Sequence, residues 1–126
     1  MWKSGVSRVN INWRPRDEEL SGFVETYVDS FASWDLILFM HFNPTAMDTA
    51  DAFASRLGRP VEEVSASLDR FCKLGCVSMS RRNAARVYSS DLRPDVKASF
   101  AKFARAQDDR ELRLMLIRSI LAKNRE

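Results

Sequence analysis

Apolar side chains recur along this chain at two different spacings, and the switches between them mark out its elements. Val9-Asn10-Ile11-Asn12-Trp13 alternates apolar with polar residues, the period of a half-buried strand or extended arm, and Pro15 ends it. Leu20, Phe23, Val24, Tyr27 and Phe31 then follow at helical spacing behind Asp17, Glu18 and Glu19, whose negative charge suits a helix N-terminus. A helix from about Asp17 to Val28 is predicted. Ser33 can cap the next helix, in which Trp34, Ile37, Leu38, Phe42 and their neighbours are apolar on nearly every side, which places it at the centre of a fold. Asn43-Pro44 stops that helix, since the residue before proline is pushed out of the helical region. Thr45 to Met47 reads as a short extended link.

Asp48 is a candidate cap for a short helix that turns Phe53 and Leu57 inward and closes at Gly58, a residue at ease in the left-handed conformation. From Pro60 or Val61 a further helix repeats Val61, Val64, Leu68, Phe71 and Cys72 at three and four, with Glu62, Glu63, Ser65, Ser67, Asp69, Arg70 and Lys73 on the other face. Gly75 ends it. Cys76-Val77-Ser78-Met79-Ser80 and Ala85-Arg86-Val87-Tyr88-Ser89 alternate again, and predict a β-hairpin around the polar turn Arg81-Arg82-Asn83-Ala84. After the break at Asp91-Leu92-Arg93-Pro94, two helices are predicted, over about Asp95 to Arg105 and Asp108 to Lys123. The fold class is thus mainly α with a small β-hairpin.

A chain of 126 residues, 45% hydrophobic and 29% charged, can bury a core as one unit without disulfides or metals. Its longest apolar run, Leu36 to Met40, is far too short to cross a bilayer, and its start lacks the apolar stretch of a secretory signal, so a cytoplasmic location is expected. The net charge of +3 is unevenly spread. Residues 1–16 carry four basic and no acidic side chains, residues 17–75 four basic against eleven acidic, residues 76–91 three arginines and one aspartate, and residues 92–126 nine basic against five acidic. Positive charge therefore gathers on the N-terminal arm, the hairpin and the C-terminal helices.

The order helix, short link, helix, tight turn, helix, hairpin from about Asp29 to Asp91 resembles the winged helix-turn-helix transcription regulators. The resemblance is carried by Ala52-Phe53-Ala54-Ser55-Arg56-Leu57-Gly58-Arg59-Pro60-Val61-Glu62-Glu63-Val64 and by Leu68 through Val77, where a helix ending in Leu-Gly, a polar turn, a second helix, a Leu-Gly stop and an apolar strand succeed one another. It implies a winged-helix core flanked by N- and C-terminal helices, binding double-stranded DNA with one helix in the major groove and the hairpin wing on the phosphate backbone. On that resemblance the contacts would be Arg59, Ser65, Ser67, Arg70 and Lys73 from the helix and its approach, and Arg81, Arg82, Asn83 and Arg86 from the wing. Glu62, Glu63 and Asp69 on the same helix would repel a polyanion, although a carboxylate can accept from cytosine. A protein-interaction module of the same fold, without DNA binding, is the alternative reading.

Catalysis finds little support. There is no glycine-rich phosphate loop, and the single histidine, His41, lies in an apolar stretch with no visible nucleophile beside it. Cys72 and Cys76 fall at buried positions and read as small hydrophobes rather than metal ligands or a redox pair. No cofactor is expected. Three regions are read: a basic arm over 1–16, the domain over 17–91, and C-terminal helices over 92–126. The last helix is broadly apolar, which predicts a homodimer through Leu112, Met115, Leu116 and Ile120. The competing expectation is that it completes the monomer core against Leu20, Phe23 and Tyr27.

Overall fold

Helix boundaries in the computed structural model, which describes residues 18–124, follow from caps and glycines. The arm and its alternating Val9–Trp13 segment lie outside the described residues. Helix α1 (Glu18–Tyr27) begins with two acidic residues. Helix α2 (Phe31–Phe42) is capped by Ser30, whose Oγ accepts the Ser33 N–H at 3.0 Å while Ser33 Oγ accepts the Ser30 N–H at 3.0 Å. Ser33 is therefore the third helical residue of a reciprocal capping box and not the cap itself, because the buried turn starts earlier, at Ala32. Helix α3 (Ala50–Leu57) is capped by Thr49 rather than Asp48, the Thr49 hydroxyl accepting the Ala52 N–H at 3.3 Å. At its end Gly58 adopts φ 66°, the left-handed geometry that lets helix α4 (Val61–Lys73) begin three residues later.

The expected link beside Pro44 is itself partly sheet. Its end forms strand β1 (Met47–Asp48), which joins the hairpin of β2 (Val77–Arg82) and β3 (Ala85–Ser90) in an antiparallel sheet ordered β1-β3-β2. Tyr88 lies opposite both Asp48 and Met79, and Arg81 opposite Arg86. Strand β3 begins at Ala85 as the alternation implied, whereas β2 runs two residues further toward the tip, to Arg82. Only Asn83 and Ala84 turn the chain, with φ of 52° and 70°, so Arg81 and Arg82 belong to β2 and not to the loop.

Helix α5 (Pro94–Arg105), a 3-10 turn (Ala106–Asp108) and α6 (Arg110–Asn124) complete a mainly helical chain. A single buried cluster takes in side chains from α1 to α6, and α5 packs on both α1 and α2. Within it Phe23 meets Phe100 and Phe103 at ring separations of 5.4 and 5.3 Å, and Tyr27 lies 6.0 Å from Phe71. Leu112, Leu116 and Ile120, expected to meet a second copy, are each 1% exposed inside this core. Met115 is half-buried. The expected dimer surface is thus used within the monomer, and its outward neighbours are Leu114 and Leu121. The reason is spacing: Leu112, Leu116 and Ile120 recur every four residues on one face of α6, and that face is buried in the core, an outcome that apolar content alone does not decide. No described helix is long and apolar enough to cross a membrane.

Candidate functional site

The α3–α4 pair and the hairpin carry the candidates read from the sequence, and the structure leaves them in different states of engagement. Arg59, in the turn between α3 and α4, pairs with Asp35 at 2.6 Å and lies 5.4 Å over the Phe31 ring. It fastens the turn to α2. Ser67 is 4% exposed and its Oγ lies 3.5 Å from that of Ser30, so it cannot reach a ligand outside. Helical spacing explains this, because Val64, Ser67, Leu68 and Phe71 share the inward face and the hydroxyl is accommodated there by a partner. Arg70 donates to the carbonyls of Thr26 and Tyr27 and lies 3.7 Å from Asp29. It satisfies carbonyls at the C-terminal end of α1 that have no helical partner of their own.

What α4 leaves toward solvent is Glu62, Glu63, Ala66 and Lys73, with Ser65 half-buried. Asp69, expected on that open face, is turned to the sheet instead, where it accepts the Tyr88 hydroxyl at 2.8 Å. Ser65 lines an open cleft of about 290 Å³ together with Thr49, Asp51, Val61, Arg86 and Tyr88. Its mouth lies between α3, α4 and β3.

Charge is concentrated on the hairpin. Arg81, Arg82, Asn83 and Arg86 are all exposed, and among the described residues no ion pair engages Arg81, Arg82, Arg86 or Lys73. Pairing register puts Arg81 and Arg86 on the sheet face that carries Tyr88, and Arg82 on the opposite face. Burial, and then the bond to Asp69, raise the Tyr88 pKa above the usual phenol value. The Tyr88 hydroxyl beside Arg86, with Asp69 beyond it, raises that of the guanidinium. Sequence reading missed this Asp69–Tyr88–Arg86 arrangement. Alternation in β3 does put Tyr88 inward, but nothing in the local sequence names the helix residue it meets nineteen positions away.

The turn that presents the arginines is strained at one position. Two-residue hairpins of this kind need positive φ at both central residues, which asparagine tolerates and alanine resists. Replacing Ala84 by glycine is expected to stabilise the protein by about 0.5 kcal/mol, the relief of strain exceeding the extra chain entropy that glycine loses. A urea midpoint that falls in this variant would contradict the turn geometry.

The cysteines are quiet. Burial pushes the Cys76 thiol from about 9 to about 11, and burial with Asp69 nearby raises that of half-buried Cys72. At pH 8 a thiol reagent should modify Cys72 first and spare Cys76 until the protein unfolds. Because the folded pKa exceeds the unfolded one, this contribution to stability is complete below about pH 9 and is lost as pH climbs toward 11. Urea melts at pH 8 and pH 10.5 on wild type and Cys76→Ala measure it, the variant showing the smaller pH effect.

Comparison with known protein families, with curated proteins and with solved structures finds no match for this chain.

Proposed function

We propose that α2, β1, α3, α4, β2 and β3 form a winged helix, and that the protein binds double-stranded DNA as a sequence-specific transcriptional regulator in the cytoplasm. The observation that carries this is the hairpin: three exposed arginines, free of ion pairs among the described residues, stand beside a helix-turn-helix pair. The helix order and the strand order β1-β3-β2 support the fold reading. Affinity on this reading comes chiefly from phosphates held by Arg81, Arg82 and Arg86, helped by Lys73, while Asn83 at the tip reaches the adjoining groove. With Arg59, Ser67 and Arg70 turned to structural work, base contacts fall to Ser65 and to Glu62 or Glu63, which can accept from a cytosine amino group.

Binding to mixed duplex DNA across a salt series tests the proposal. A logarithmic affinity that falls steeply with logarithmic salt is expected, since each phosphate contact releases counterions. Two exposed carboxylates in the first turn of α4 favour a second reading, in which that helix meets a basic surface on another protein. Absence of DNA affinity even at low salt would select it.

A further inference from the structure

We infer that Asp69 is a positioning residue for the wing: by accepting the Tyr88 hydroxyl it anchors β3 to α4 and, through that hydroxyl, sets where the Arg86 guanidinium points. The role of Arg86 rests on the DNA binding proposed above. Tyr88 is 2% exposed, and its ring is held by the core while its oxygen reaches Asp69 Oδ1 at 2.8 Å. Arg86 stands two residues earlier on the same face of β3, and its side chain lines one cleft together with Tyr88. A carboxylate on the DNA-facing side of a helix is ordinarily a penalty. Here it is engaged by the buried phenol, so it holds the arginine-bearing strand in place instead of standing bare before phosphate. The same link ties the two DNA-facing elements together, because β3 cannot swing away from α4 without breaking a hydrogen bond whose donor is buried. Arg86 is then held at a fixed offset from α4, and a phosphate seated on it fixes the register of the helix along the duplex.

The experiment has a readout independent of DNA. In the free protein the Nε–H signal of Arg86, assigned by its disappearance in Arg86→Lys, should stand apart from those of the other exposed arginines, and should move toward them in Tyr88→Phe. A signal unmoved in Tyr88→Phe overturns the positioning role, whatever the protein binds. In the DNA salt series, Tyr88→Phe and Arg86→Ala should each cost roughly fivefold in affinity and lower the slope by about 0.9, and the double variant should lose no more than either, as expected within one coupled network. Wild-type binding by Tyr88→Phe alongside impaired binding by Arg86→Ala also overturns the inference. If the arginine signal moves as expected but wild type has no DNA affinity, the proposed function fails and the positioning of Arg86 stands. Phenylalanine keeps the buried ring, and thermal midpoints followed in parallel separate loss of aim from loss of fold.

Discussion

Phe100→Ala is expected to lower the free energy of unfolding by about 3 to 5 kcal/mol, the range for removing a fully buried aromatic side chain. Phe100 has no exposed surface and meets Phe23 edge-on at 5.4 Å and Tyr27 at 5.8 Å, so its loss opens a cavity and breaks aromatic pairs together. Against a total of roughly 5 to 15 kcal/mol for a small domain, that leaves a marginal fold. The same replacement at Phe42, 71% exposed, should change stability by under about 0.5 kcal/mol. Urea unfolding of both variants makes the comparison. A Phe100 variant within about 1 kcal/mol of wild type would mean that α5 is an appendage rather than part of the core.

Arg81→Ala with Arg82→Ala should weaken binding to every duplex alike and reduce the salt slope by about 0.9 for each phosphate no longer neutralised, or about 1.8 for the pair. Sequence preference should survive, since these side chains stand on the wing and not on α4. Stability should hold, because both are exposed and removing Arg81 relieves a like charge directly across the ladder at Arg86. The register places the two on opposite sheet faces, so simultaneous engagement requires the tip to enter between phosphates. If the slope falls by only about 0.9, a single face of the wing touches DNA. If affinity and slope are both unchanged, DNA does not meet the wing, and the acidic start of α4 becomes the surface to pursue.

Local sequence determined most of the elements. Helical spacing at Val61, Val64, Leu68 and Phe71, the glycine at 58, and the alternation on either side of Asn83 each act within a few residues, where backbone sterics and amphipathic burial set the outcome. Which serine caps α2, and whether Thr49 or Asp48 caps α3, depended on where the buried turn of each helix begins, so these were legible only to within a few residues. The candidate site divides in the same way. Exposure of Arg81, Arg82, Asn83 and Arg86 followed from a polar hairpin tip that nothing among the described residues covers. Tertiary structure alone decided that Arg59 pairs with Asp35, that Arg70 reaches the end of α1, that Ser67 turns inward, and that Asp69 meets Tyr88. Each joins residues from separate elements, and a charged or hydroxyl side chain carries no mark of whether water or a distant partner will satisfy it. The same holds for Leu112, Leu116 and Ile120: an apolar face must be covered, and only the packing of α6 onto its own chain decides by what.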